Sequence, residues 1–258
     1  MTLFKKSILV FTIVSLCFGM QSYSQKGFLY QAAYNGSAYE FGYNSMAKIP
    51  VVNAPEDVDW NRWSMLYDGE YRLFFMPKGR SNTLYQFGYN ASTQSYEYGY
   101  KNTYSIPIVG LPDRTDISSF SMLYDGTDYR LYFSSMYDKA KLLQCGYNAD
   151  RGESGSFVYG YRSIGEIPIR NAPSDTDWSR WGMLHDGSVY RLYFTPIGRD
   201  DVLYQFGFDG KSYRYGYSSD PRINVNKMPE TYNVPKFNML HDGSYYRFYR
   251  LRKPIFKL

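Results

Sequence analysis

Along most of the chain, large rings and aliphatic side chains alternate with small or polar residues in short runs, punctuated by Gly, Asn, Asp and Pro. In LYQFGYN (84–90), Tyr85, Phe87 and Tyr89 take every second place. YEYGY (96–100) alternates likewise, and YRLYF (129–133) sets Tyr129, Leu131 and Phe133 on one face and Arg130 with Tyr132 on the other. A two-residue period is that of a strand with one packed face. Helical periodicity is absent after residue 24, so the pattern predicts an all-β chain.

The same phrase recurs four times. MLYDG or MLHDG leads into a run such as YRLYF, and its Asp falls at Asp68, Asp125, Asp186 and Asp242, with spacings of 57, 61 and 56. The Gly-Tyr pairs starting at Gly42, Gly99, Gly160 and Gly216 give the same spacings, which defines one supersecondary unit of about 58 residues. Asp-Gly makes a tight hairpin, because both residues tolerate positive φ. A short polar loop (77–82 in one copy) leads to the next strand, and turns starting at Asn35, Asn90, Asn148 and Asp209 lead to the Tyr-Gly-Tyr strand. Only the following Pro-marked link is long. Four-stranded meanders joined by a long crossover are the blades of a β-propeller. Residues 28–43 supply the third and fourth strands of a unit and 237–249 the first and second. The expectation is a four-bladed β-propeller of four such repeats, closed by pairing of these two segments, which hides two strand edges. An outer-membrane barrel would need strands of about 9 to 11 residues, longer than most of these runs.

Four aromatic-rich meanders, each with an Asp-Gly turn and a Pro-marked crossover, resemble in architecture the hemopexin-like four-bladed propeller. The resemblance covers nearly all of residues 25–258. The repeats here are longer than that family's usual unit, and the disulfide that commonly ties its first and last blades cannot form. No binding residue is carried over.

Residues 1–24 read as a signal peptide: Lys5 and Lys6, an apolar stretch over 7–19, then Ser22 and Ser24 at the small positions of a cleavage site. The apolar stretch is short for a membrane span. Leu16 before Cys17 argues against lipid attachment there. Cleavage leaves a single domain over 25–258 with Cys145 as its one cysteine, so no internal disulfide forms. The net charge of +5 includes the two leader lysines, and so mild and dispersed an excess excludes nucleic acid as the natural partner. The chain is expected to be exported, either secreted or periplasmic, with association at the cell surface left open, not inserted in a membrane, and monomeric.

Among chemistry-bearing residues, all four tryptophans fall in NAPEDVDWNRW (53–63) and NAPSDTDWSRW (171–181). Trp60 and Trp178, beside Arg62 and Arg180, would suit stacking on a sugar. The equivalent positions carry Ile117 and Val234, and Trp63 and Trp181 align with Phe120 and Phe237, which favours burial between blades. His185 and His241 take the place of Tyr67 and Tyr124 ahead of the Asp-Gly turn, so the four are expected to ring a channel mouth. Two His could hold a metal, but Tyr in the same place argues that a polar-tipped ring suffices, and no metal or cofactor is expected. Asp57/Asp59 and Asp175/Asp177 read as turn formers rather than calcium ligands. Gln31, Gln86, Gln144 and Gln205, and Arg72, Arg130, Arg191 and Arg247, recur in every unit. They fit either four ligand sites or hydrogen bonds at blade junctions, and repetition favours the second.

No catalytic motif is present. The reading is an exported, non-enzymatic protein binding a glycan or a partner protein, with Trp60, Trp178, Arg62, Arg180, Tyr67, Tyr124, His185 and His241 as candidate ligand contacts. A glycan-cleaving enzyme with an asymmetric acidic pair and a structural or adhesive surface protein are the alternatives.

Overall fold

The alternating runs become strands throughout. The computed structural model describes residues 25–226, 228, 229 and 236–254, so the predicted leader and Val234 lie outside the described residues. In chain order the strands are β1 (Gln25–Tyr34), β2 (Ala38–Phe41), β3 (Lys48–Ala54), β4 (Val58–Tyr67), β5 (Tyr71–Pro77), β6 (Thr83–Asn90), β7 (Ser95–Tyr98), β8 (Ser105–Val109), β9 (Thr115–Tyr124) and β10 (Tyr129–Ser135). They continue as β11 (Lys141–Asn148), β12 (Ser156–Tyr159), β13 (Glu166–Arg170), β14 (Thr176–His185), β15 (Tyr190–Pro196), β16 (Val202–Phe208), β17 (Tyr213–Tyr215), β18 (Arg222–Asn226), β19 (Phe237–His241) and β20 (Tyr246–Arg252). Among the described residues no helix is long and apolar enough to cross a membrane, which says nothing about β-barrels.

Four units follow from the pairing. Unit I is β4 to β8, unit II β9 to β13, unit III β14 to β18, and unit IV joins β19 and β20 to β1, β2 and β3. β1 lies antiparallel to β20 from Phe28 opposite Arg252 to Ala33 opposite Arg247, the pairing that the phase of the repeat predicts.

Each unit holds one strand more than expected. The link after the Tyr-Gly-Tyr run contains β3, β8, β13 or β18, which pairs with the first half of the unit's third strand. Pro50, Pro107 and Pro168 within these segments suggest a loop, yet each sits in a strand register opposite Phe28, Thr83 and Lys141. Proline lacks only the donor, so an outer strand accommodates it where that N–H has no ladder partner. These fifth strands also run parallel to the fourth strand of the next unit, at Val51–Tyr96, Ile108–Phe157, Ile169–Tyr213 and Asn224–Ala38. The outer twelve strands thereby form a closed ring.

The apolar core is divided into four layers, one between each pair of successive units. Sheets packed face to face lie about 10 Å apart, a gap that rings fill well, which accounts for an aromatic share of 20%. Trp63 and Trp181 are fully buried in two of these layers. Buried Cys145 lies in a third, where burial pushes its thiol up to about 12 and keeps it protonated.

Side chains tie the innermost strands together. Ser64 Oγ accepts the Met122 N–H at 2.8 Å and the Asn238 amide at 2.8 Å, and Ser121 Oγ accepts the Met183 N–H at 3.0 Å. Unit III carries Gly182 at this position, where an added Cβ would stand 3.3 Å from the Phe237 ring. Met65, Met122, Met183 and Met239 with their neighbouring leucines close the centre to about 10 Å³, room for one water at most.

Ser121→Ala leaves the Met183 N–H buried without its partner. It is expected to lower the unfolding free energy by about 1–3 kcal/mol, read from urea denaturation with an unchanged far-ultraviolet spectrum.

Candidate functional site

The third strand of each unit is paired along two stretches by two collinear outer strands, and the break between them falls opposite the recurring glutamine. At Gln86 the backbone N–H donates to Tyr104 O (3.1 Å) and the carbonyl accepts from the Gly99 N–H (2.9 Å). Gln31 uses Ala47 and Gly42, Gln144 uses Gly165 and Gly160, and Gln205 uses Pro221 and Gly216 in the same way. The residues in between bulge outward. Each bulge starts at a glycine with φ of 67 to 72°, and two residues later Asn44, Lys101, Arg162 or Ser218 is also left-handed, at 41 to 52°. The bulge returns so close to the sheet that a Cβ on Gly88, Gly146 or Gly207 would lie 2.1 to 2.2 Å from the carbonyl of Tyr100, Tyr161 or Tyr217.

Under each bulge a pocket opens between one unit and the next. Their volumes are about 320 Å³ between units I and II, 170 Å³ between II and III, 210 Å³ between III and IV, and 190 Å³ between IV and I. All four are built alike. The leading unit supplies the recurring arginine (Arg72, Arg130, Arg191, Arg247) and glutamine (Gln86, Gln144, Gln205, Gln31). The following unit supplies an aromatic wall: Tyr129 and Tyr147, Tyr190 and Phe208, Tyr246 and Tyr34, or Tyr71 and Tyr89. The floor pairs one ring from each side: Phe74 with Phe157, Tyr132 with Tyr213, Tyr193 with Tyr39, and Tyr249 with Tyr96.

The Asp of each Asp-Gly turn fixes the inner edge of its pocket. Asp68, Asp125, Asp186 and Asp242 expose only 3 to 6% of their side chains. One carboxylate oxygen of each accepts the Nε–H of its own unit's arginine at 2.7 to 3.3 Å. The same oxygen accepts the hydroxyl of the next unit's tyrosine: Tyr129 to Asp68, Tyr190 to Asp125, Tyr246 to Asp186 and Tyr71 to Asp242, at 2.7 to 2.9 Å. The other oxygen caps the turn amides, as with Thr127 and Asp128 on Asp125. Burial pushes the carboxyls of Asp125, Asp186 and Asp242 up, but the turn amides and tyrosine hydroxyls, joined by the arginine at Asp125 and Asp242 and by the Ser188 hydroxyl at Asp186, outweigh it and hold all three below the usual carboxylate range. The tyrosines shift the opposite way. Burial and the donated hydrogen bond push Tyr190 up to about 12 and raise Tyr71, Tyr129 and Tyr246 as well.

None of the eight residues singled out from the sequence lines these four pockets. Trp60 is 5% exposed, edge-on to Phe75 at 5.1 Å and close over Gly27, and half-buried Trp178 meets Phe194 at 5.2 Å. Arg62 is buried, bonded to Asp59 at 2.9 Å, to Arg80 O at 3.1 Å and to Pro77 O. Arg180 pairs with Asp200. Tyr67, Tyr124, His185 and His241 do gather at one end of the centre, each against the first ring of its next strand at 4.5 to 4.9 Å, but over the closed space of about 10 Å³. Burial holds His185 below its ordinary value.

The pocket residues carried a legible signal. Tyr71-Arg72, Tyr129-Arg130, Tyr190-Arg191 and Tyr246-Arg247 are adjacent on strands, so each Tyr and its Arg point to opposite faces. One reaches the preceding unit and the other the following pocket.

The chain matches no protein-family profile and no curated protein. Among solved structures it is similar to AofleA from Arthrobotrys oligospora, at 10% identity and a TM-score of 0.35 over 76% of this chain and 51% of that one. It is also similar to the SapL1 lectin in complex with alpha methyl fucoside, at 12% identity and a TM-score of 0.31 over 85% of this chain and 63% of that one. The chain thus spans about half to two thirds of the length of these structures.

The pKa directions set a stability window. Depressed carboxyls stabilise the fold above their unfolded value near pH 4, and that contribution is lost as pH falls through the folded values. Raised tyrosines stabilise it below their unfolded value near pH 10, and that contribution is lost as pH rises toward the folded values. Urea midpoints measured at about pH 3, 7 and 11 are expected to be highest at 7. Asp125→Asn is expected to flatten the acid side.

Proposed function

We propose that this chain is a non-enzymatic glycan-binding protein, built as a four-bladed β-propeller with one sugar site between each pair of successive blades. The observation that carries this reading is the fourfold recurrence of one pocket, with an arginine, a glutamine and two wall rings in every copy. Aromatic faces pack on sugar C–H groups. The glutamine amide offers a donor pair and an acceptor, and the guanidinium offers further donors, which is the mixture that sugar hydroxyls need. Four weak, equivalent sites gain strength against a repeated ligand through avidity.

A small ligand is favoured over a protein face. Cavities of 170 to 320 Å³ suit a sugar unit, whereas a stable protein interface covers about 800 Å² on each partner. Glycoside cleavage needs two carboxyl groups about 5 to 9.5 Å apart, and among the described residues Asp220 is the single acid lining any of the four pockets. The leader-like residues 1–24 support export, which would place the sites where glycans are displayed. The hemopexin-like resemblance enters this reading only as a four-unit architecture.

Isothermal titration against a monosaccharide panel, with product analysis of each mixture, tests the proposal. Saturable binding at about four sugars per chain without turnover is expected. Ser163→Trp, which fills the pocket between units II and III from its rim, is expected to reduce the stoichiometry by about one at unchanged melting temperature. Release of new reducing ends, or no binding across the panel, would reject it.

A further inference from the structure

The pocket between units I and II departs from the other three in a coupled way. Its floor is Phe74 with Phe157, while the equivalent pairs are Tyr132 with Tyr213, Tyr193 with Tyr39, and Tyr249 with Tyr96. The two phenylalanines come from different units, 83 residues apart, and both lose their hydroxyl in the same pocket. Leu66 and Met122 also reach this floor, and the cavity is the largest of the four at about 320 Å³.

The polar side differs between the pockets as well, and among the described residues only Gln144 is bonded to a floor hydroxyl, while Gln205 Nε2 donates to Asp220 O at 3.3 Å. Between units II and III, Gln144 Nε2 donates to the Tyr132 hydroxyl at 3.1 Å, and Arg130 Nη1 donates to Arg162 O at 2.5 Å. Between units IV and I, Arg247 Nη1 likewise donates to Asn44 O at 2.8 Å. In the I–II pocket, Phe74 offers Gln86 no oxygen. Gln86 is held only through Oε1, which accepts from Thr103 Oγ1 at 3.4 Å. Arg72 is engaged through Nε on Asp68 and Nη2 on Glu70. Among the described residues, Gln86 Nε2 and Arg72 Nη1 have no protein acceptor, and both residues line the pocket.

We infer that the I–II pocket binds the acetamido group of an N-acetylated sugar, an inference that rests on the glycan-binding reading above. The acetamido carbonyl accepts from Gln86 Nε2 and Arg72 Nη1, and its methyl lies on Phe74 and Phe157. A plain sugar would set a hydroxyl on that apolar floor with nothing to pair it. Conversely, an acetyl methyl over the paired tyrosine hydroxyls of the other floors would cover polar groups, so those three pockets favour unacetylated rings. Apolar complementarity of this size discriminates by about 10-fold or more.

The test is isothermal titration of the whole protein with N-acetylglucosamine against glucose and N-acetylgalactosamine against galactose. The wild type is expected to show one site per chain that prefers the acetylated member of at least one pair by about 10-fold or more. The double variant Phe74→Tyr/Phe157→Tyr is expected to lose that preference and keep the remaining sites and its melting temperature, because tyrosine already occupies both positions in the other three pockets. Equal binding within both pairs, or a preference that survives in the Phe-to-Tyr variant, overturns this inference while leaving glycan binding in place. Failure of every sugar to bind overturns both.

Discussion

One buried carboxylate, repeated four times, holds this molecule in register. At each Asp-Gly turn the Asp accepts from its own arginine and from the tyrosine of the following unit. A carboxylate with so little contact with water persists only if its lone pairs are filled, and here turn amides, guanidinium and phenol fill them. The bond crosses from unit to unit, so it sets how far apart the inner ends of neighbouring sheets stand. The wall tyrosine and the pocket arginine meet on the same oxygen, which makes the geometry of the pocket a consequence of the geometry of the joint.

Closure without a disulfide follows from two further devices. Along the outside, each fifth strand pairs with the next unit's fourth strand, which hides edges that four separate meanders would expose. Within unit IV, β1 and β20 form a long antiparallel ladder between segments far apart in sequence. The aromatic layers between sheets supply the apolar burial, and the serines of the innermost strands accept from backbone N–H groups and from the Asn238 amide at the crowded centre. That centre is closed by methionine and leucine, and the larger cavities open at the seams between units.

Rare residues and recurring ones take different places in this fold. Trp60 and Trp178 stand out in the sequence and serve in packing, while Arg62 is occupied by Asp59 and two backbone carbonyls. The pocket residues were common ones in constant places. Gln and Arg in every repeat suggested joints, and the arginines are joints, through Nε; their outer nitrogens and the glutamine amides border the cavities. A polar group can serve a seam and border a cavity together where the seam itself opens a pocket.

The sequence by itself determined what depends on neighbouring residues: strand periodicity, the Asp-Gly hairpins, the repeat length and the phase that sends residues 28–43 to pair with 237–249. These are decided by local sterics and by which face of a strand is apolar. The tertiary structure alone decided the fifth strand of each unit, because Pro50, Pro107 and Pro168 weaken its local signal and the pairing partners are distant. It alone decided the bulge over each glutamine, which exists because two outer strands share one inner neighbour, and the meeting of Phe74 with Phe157, which no local pattern connects. Contacts between units depend on how whole sheets stack, and that spacing emerges only when all four close around one centre.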